Sequence, residues 1–137
     1  LDPLRPDPLR RGRCVTRHPG VEIIGPVHTA NGVARLLGID VADVAGLRDQ
    51  CRLLAGRAHT GTWFYPVSQF DSRAVLARLD EVLPILVAVD TWNVCLWFCT
   101  PRHDHLDGLS ALEWLRERRD LKPLTRLAHD TAARWSA

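Results

Sequence analysis

Apolar and small residues from Val33 to Leu47 are spaced for two short helices that cross steeply: Val33, Ala34, Leu37, Gly38, Ile39, Val44 and Leu47. A steep crossing needs a small residue on the first helix where the second packs, which Ala34 supplies. The tight link needs a residue that tolerates positive φ, which Gly38 supplies. The pattern therefore predicts a helix-turn-helix. Its first helix spans Ala30 to Leu37, with the Thr29 hydroxyl free to cap it, and its second runs from about Val41 to Cys51. Two short apolar or aromatic runs follow between Leu53 and Pro66, flanking a Gly- and Thr-containing connection. They predict a β-hairpin with its tip near Ala58 to Gly61. Helix, turn, helix and hairpin in this order is a winged arrangement.

The second half changes to the three-four rhythm of buried helix faces. Asp71 is expected to cap a helix carrying Val75, Leu76, Leu79, Val82, Leu83 and Leu86, with Pro84 bending it or beginning a second segment. Asp90 or Thr91 can cap a helix over Trp92 to Cys99, stopped at Thr100-Pro101 because a residue before proline avoids the α region. Ser110 and Glu113 have the spacing of a capping box and open a helix over Ala111 to Arg118. Pro123 suits a first helical turn. Leu124, Leu127, Ala128, Thr131, Ala132 and Trp135 then give the last helix its apolar stripe. In front of all this, Leu1 to Gly20 mixes Pro3, Pro6, Pro8 and Pro19 with five arginines, a composition of extended, solvated chain. That arm can stay disordered or add phosphate contacts on binding, and Val21 to Ile24 can form a short strand. The expected fold is mainly α: a flexible basic arm (1–26), a winged helix-turn-helix with a short β-hairpin (27–70), and a small helical bundle for partner binding and oligomerisation (71–137).

Charge refines the picture. The chain of 137 residues has a formal net charge of only +2, too weak for a nucleic-acid protein that works by charge alone. Its distribution is uneven. Residues 1–26 carry five Arg against three acids and residues 27–70 four against three, whereas residues 71–137 hold nine bases against ten acids. This asymmetry suits a front half that meets phosphate and a back half that meets protein. The four cysteines have no secreted-framework spacing, the opening residues show no signal-peptide pattern, and the longest apolar run, Leu83 to Val89, is too short to span a bilayer. A cytoplasmic, reducing location without a membrane partner is expected.

Candidate chemistry is sparse. Cys95, Cys99, His103 and His105 place four zinc-type donors in one short stretch. Against that, the spacing is no usual finger pattern, and a cysteine among Val94, Leu96, Trp97 and Phe98 also serves as a small hydrophobe. No metal or other cofactor is expected. There is no glycine-framed serine, no phosphate loop and no paired carboxylate wall, so an enzyme is not expected. For DNA, Arg48, Arg52 and Arg57 are the candidate phosphate contacts, with His59 and Thr60 at the hairpin tip. On the second helix only Ala42 or Ala45 could meet a thymine methyl, because base-reading side chains are almost absent from its first two turns. The same scaffold could instead serve dimerisation or protein contact.

Two stretches resemble known families. Residues 29–70, TANGVARLLGIDVADVAGLRDQCRLLAGRAHTGTWFYPVSQF, look like the excisionase and MerR-like winged helix, in the A-x-LLG first helix, the apolar-anchored second helix and the closing YP-x-x-QF. Residues from Asp90 to about Leu115, DTWNVCLWFCTPRHDHLDGLSALEWL, are similar to the toxin-binding segment of Xre/MbcA/ParS antitoxins, in which a tryptophan-bearing helix, a Pro-led loop with Leu and Gly, and a Ser-capped helix face the partner. Those elements fall on Trp92, Trp97, Pro101, Leu106, Gly108, Ser110, Leu112 and Leu115. Ala111 departs from the pattern's proline, and Arg118-Arg119 from its closing glycine. The resemblance implies a type II antitoxin that oligomerises, binds its own operator DNA and sterically covers a RES-fold, NAD-consuming toxin. Trp92, Trp97, Trp114 and Trp135 exceed what so small a helical half needs for its own core, which favours a protein interface. Arg134 and Trp135 are the groups expected to reach into a partner's cleft. The alternatives are an excisionase-like regulator without a toxin partner and a small metalloprotein built on Cys95 and Cys99.

Overall fold

The structure, a computed structural model, describes residues 21–86, 90–102 and 104–136. These are mainly helical, with two small antiparallel sheets. The order is α1 (Val21–Ile24), β1 (Val27–His28), α2 (Ala30–Leu37), α3 (Val41–Asp49), β2 (Gly56–Arg57), β3 (Trp63–Pro66), a 3-10 turn (Val67–Gln69), β4 (Phe70–Asp71), β5 (Ala74–Val75) and α4 (Leu79–Val82). A second 3-10 turn (Leu83–Leu86) continues α4 and begins at the leucine before Pro84, and α5 (Thr91–Cys99), α6 (Ala111–Arg116) and α7 (Leu121–Ser136) complete the chain. One sheet has the order β1-β3-β2, pairing Val27 with Pro66 and Arg57 with Trp63; the other pairs Phe70 with Val75.

Local signals set most helix starts. Thr29 Oγ1 accepts from the Gly32 amide at 3.1 Å and opens α2. Gly38 closes it at φ 71°, and the Ile39 amide returns to the Ala34 carbonyl at 3.0 Å. Asp90 caps α5 through the Trp92 amide. Ser110 and Glu113 form the full capping box of α6.

Four expectations need correction. Val21–Ile24 is one turn of helix, not strand: the Gly25 amide reaches back to the Val21 carbonyl, and Gly25 leaves the turn at φ 74°. Ile24 is buried in the helical core, so residues 21–26 belong to the fold and not to an arm, while residues 1–20 lie outside the described residues. Asp71 caps nothing; it sits in β4, and the chain reverses through Ser72 at φ 59° before α4 begins after Arg78 at φ 70°. Val75 and Leu76 keep their inward positions, but a two-residue ladder at Val75 and the bond from the Leu76 amide to the Gln69 carbonyl put them there rather than a helix. Finally, α3 stops at Asp49 and α6 at Arg116, where Cys51 and Arg118 adopt positive φ and turn the chain.

Two apolar cores result, and they interlock. Val33, Ala34, Val44, Leu53, Ala55, Tyr65 and Phe70 fill the smaller one, behind α2, α3 and β3. The larger lies among α4 to α7, yet takes in Ile24 and Leu54 from the front half, with Phe64 packed against it. Leu53 and Leu54 are thus neighbours in sequence that serve different cores. Between them and β4 sits Gln69, fully buried. Its Oε1 accepts from the Leu54 amide at 2.8 Å, and its Nε2 donates to the Leu54 carbonyl at 2.8 Å and the Pro66 carbonyl at 3.2 Å. The side-chain amide behaves as one rung of a β-ladder where no strand is available.

Gln69→Leu keeps the approximate volume and removes all three bonds, stranding buried backbone groups. A loss of about 3 kcal/mol in unfolding free energy is expected from urea denaturation, with a much smaller loss for the exposed neighbour Ser68→Ala.

Candidate nucleic-acid interface

The hairpin is built as its residues dictate. The Ala58 amide donates to the Thr62 carbonyl at 2.9 Å and the Gly61 amide to Ala58 at 2.8 Å, with Gly61 at φ 88°. Arg57 Nε donates to the Gly61 carbonyl at 3.2 Å, bracing the tip. At the other edge of β2, the Arg57 amide donates to Thr91 Oγ1 at 2.9 Å, tying the hairpin to the start of α5. The arrangement is fixed sterically as well, since a Cβ on Gly56 would run into the Phe64 ring.

Trp63 is the platform of this surface. The Arg48 guanidinium carbon lies 4.2 Å from its ring centroid and that of Arg57 5.5 Å, distances at which cation–π attraction operates. Arg48 also donates to the Tyr65 hydroxyl at 3.4 Å and pairs with Asp49 at 3.1 Å, leaving its side chain only 19% exposed. One indole therefore connects the last turn of α3 to the hairpin. Arg57, His59 and Thr60 stand exposed beside it.

The residues expected to meet DNA separate into groups. Arg48 and Arg57 come together on Trp63, but Arg48 is largely committed to internal partners. Arg52 is exposed and faces elsewhere, lining a cavity of about 340 Å³ with Leu47, Ala77, Arg78 and Asp80. Ala42 is exposed and Ala45 half-buried on α3, next to Val41, Asp43 and Asp49, all exposed. Sequence reasoning does not place Trp63 or Thr91 at this surface. A signal for Trp63 exists nonetheless: a hairpin with its tip near Ala58 to Gly61 puts Trp63 on the strand that returns past Arg57.

The expected partner-facing residues of the second half divide differently. Trp97, Leu106, Ser110, Leu112 and Leu115 are buried in the chain's own core, so they form no partner surface in this fold. All five serve the interior. Trp97 Nε1 donates to Thr131 Oγ1 at 3.0 Å, Ser110 caps α6, and Leu106, Leu112 and Leu115 belong to the larger core. Trp92 is half-buried edge-on to Phe64, with ring centroids 5.4 Å apart. Only Pro101, Arg134 and Trp135 are exposed, Trp135 at 40%.

The three zinc-type donors that lie among the described residues, Cys95, Cys99 and His105, are not grouped. Cys95 is buried, Cys99 half-buried with its Sγ 4.0 Å from Ser68 Oγ, and His105 exposed; His103 lies outside the described residues. Among the described residues no three of His, Cys, Asp and Glu are grouped to hold a metal ion. Burial pushes the Cys95 thiol far up, with the neighbouring Cys99 adding to it, and burial pushes Cys99 up to about 11, the Ser68 bond opposing. Both sulfurs are therefore protonated near neutral pH, the wrong state for a nucleophile. Among the described residues no helix is long and apolar enough to cross a membrane.

No protein-family model matches the chain, and no curated protein is significantly similar to it in sequence. Among solved structures it is similar to one described as the NMR structure of Rv2175c, with a TM-score of 0.64 and 23% identity, over 89% of this chain and 99% of that one. The likeness is one of fold.

The raised thiol pKa has a measurable consequence. Alkylation of Cys99 by iodoacetamide, followed by mass spectrometry of the folded protein, is expected to accelerate about tenfold per pH unit between pH 8 and 10, because the thiolate fraction grows at that rate below the pKa.

Proposed function

We propose that the chain is a DNA-binding regulator in which α2, the Gly38 turn and α3 form a helix-turn-helix and the β2–β3 hairpin its wing. The observation that carries this reading is the Arg48–Trp63–Arg57 stack. It fixes a basic hairpin shoulder against the end of α3, so wing and helix meet a duplex as one rigid surface. Arg57 supplies phosphate attraction, joined by the exposed His59 and Thr60 and, from a separate face, by Arg52. Arg48 acts by position, holding Trp63. With Asp40, Asp43 and Asp49 on or beside α3, the helix repels phosphate over much of its length. Its apolar exposed residues, Val41 and Ala42, fit thymine methyl groups and little else. Binding of modest affinity, dominated by backbone contacts, follows. The edge strand β1, with exposed Val27 beside exposed Ile23 on α1, offers the face for a homodimer that would present two such surfaces.

A second reading, the antitoxin of a RES-fold toxin, is favoured by one feature: Trp135 and Arg134 stand exposed at the end of α7, residue types that anchor protein interfaces. With the other indoles largely used internally, that end of the molecule is the partner surface this reading retains. Co-expression with a RES-fold toxin encoded beside this chain tests it: growth rescue lost in Trp135→Ala supports it, and rescue absent from the unaltered protein removes it.

For DNA, fluorescence anisotropy with a labelled duplex of about 24 base pairs is expected to show binding that weakens steeply with salt. Replacing Arg52 and Arg57 together by Ala should flatten the slope of log K against log salt by about 2 and weaken binding at least about tenfold at moderate salt. Trp63→Leu should weaken binding although Trp63 carries no charge. Unchanged binding in the double variant overturns the assignment.

A further inference from the structure

At the end of α5 remote from the hairpin, two arginines from different elements meet a hydrogen-bonded pair, Trp97 and Thr131, one arginine on each member. Arg102, just past α5, folds back so that its Nη2 donates to the Trp97 carbonyl at 3.1 Å and its guanidinium carbon lies 5.2 Å from the Trp97 ring centroid. From α7, Arg134 Nη2 donates at 3.3 Å to Thr131 Oγ1, the same oxygen that accepts from Trp97 Nε1. The Thr131 proton is used as well, on the Leu127 carbonyl at 2.9 Å. Trp97 and Thr131 thus form a buried, saturated hub, with Arg102 against the indole and Arg134 on the hydroxyl.

These two cations lack what Arg78 and Arg119 possess. Arg78 is paired with Glu81, and Arg119 with Asp107 and Glu117, whereas among the described residues neither Arg102 nor Arg134 has a carboxylate partner. Arg102 Nε is buried and has no hydrogen-bond acceptor among those residues. Desolvation, followed by the charge of Arg134, lowers the Arg102 pKa. Two like charges held around a buried hub, one of them partly desolvated and short of an acceptor, cost stability unless something anionic joins them.

We propose that Arg102 and Arg134 form a binding site for a tetrahedral dianion of the phosphate class, as inorganic phosphate or a small phosphate monoester. The number of donors and their summed charge favour this class. One guanidinium matches a planar carboxylate by itself. Two guanidiniums, one from α7 and one from the loop after α5, offer donors to more than one pair of oxygens and call for more than one negative charge. The site is separate from the proposed DNA surface: Thr91, at the first turn of α5, holds the hairpin, and Arg102 lies beyond the last turn. It does not depend on the DNA reading.

The test is a titration of the uniformly 15N-labelled full chain at pH 8 and constant ionic strength, following the arginine Nε–Hε and tryptophan indole resonances. Sodium phosphate is expected to shift the Arg102, Arg134 and Trp97 signals saturably, with half-saturation below about 1 mM. Glycerol phosphate, read in a parallel arm, shows by its relative affinity whether the free ion or the monoester is preferred. Arg134→Gln, an exposed position whose amide spectrum should stay folded, is expected to weaken phosphate binding at least about tenfold, and Arg134→Lys less. The proposal is overturned if the shifts stay linear and spread equally over Arg73 and Arg126, if Arg134→Gln binds phosphate unchanged, or if succinate binds as tightly as phosphate.

Discussion

The buried amide of Gln69 is the constraint on which the rest of the arrangement depends. A chain that sends Leu53 into one core and Leu54 into another must hold an extended segment between them without a neighbouring strand. Backbone groups there are buried and cannot be left unpaired. Gln69 meets both the donor and the acceptor of Leu54 and also binds the Pro66 carbonyl, so β3, β4 and the segment after α3 are locked at one point. Arg116 reinforces this from the helical side by donating to the carbonyls of Ser68 and Phe70. The two halves therefore share one folded body, and residue 70 marks a change of secondary structure more than a seam.

That junction also sets the orientation of the proposed DNA surface. The hairpin is held on one side by the Thr91 hydroxyl and on the other by Trp63 beneath two guanidiniums. A short hairpin alone is marginal in water; here its flanks are supported by α5 and α3. The hairpin is consequently coupled to the helical half through α5, one end of which holds it through Thr91 while the other leads into Arg102. A single helix of nine residues, about 13 Å long, connects them.

The tryptophans of the second half show how composition can mislead. Their number suggests a surplus reserved for a partner. Trp97 and Trp114 are nevertheless buried, and each has a local partner for its polar edge: Thr131 for the former and the Asp120 carbonyl for the latter. Each also lies under an arginine, Arg102 or Arg119. A small bundle made of short helices has few residues to give to its interior, so large rings fill space that longer helices would share among leucines.

Wherever a signal is local, it was legible in the chain. Thr29, Gly38, Asp90 and the Ser110–Glu113 pair act within a turn of their own position, through hydrogen bonds to adjacent amides or through an allowed φ, and the helices start or stop where they stand. Inward positions such as Val33, Val44, Leu79 and Leu124 were legible for the same reason, since periodicity depends only on backbone geometry. Long-range pairing decided the remainder. Phe70 and Asp71 became a strand because β5 folds back on them. Val21 to Ile24 became a helical turn because Ile24 found the larger core. Arg48 turned from a free cation into a support once the hairpin brought Trp63 against it. Burial of Trp97 depended likewise on α7, whose Thr131 takes its indole N–H, and no spacing within its own segment carries that information. Sequence thus determined which elements and faces exist, because those follow from neighbours along the chain; tertiary structure alone decided which faces are spent on one another and which charges remain without a partner.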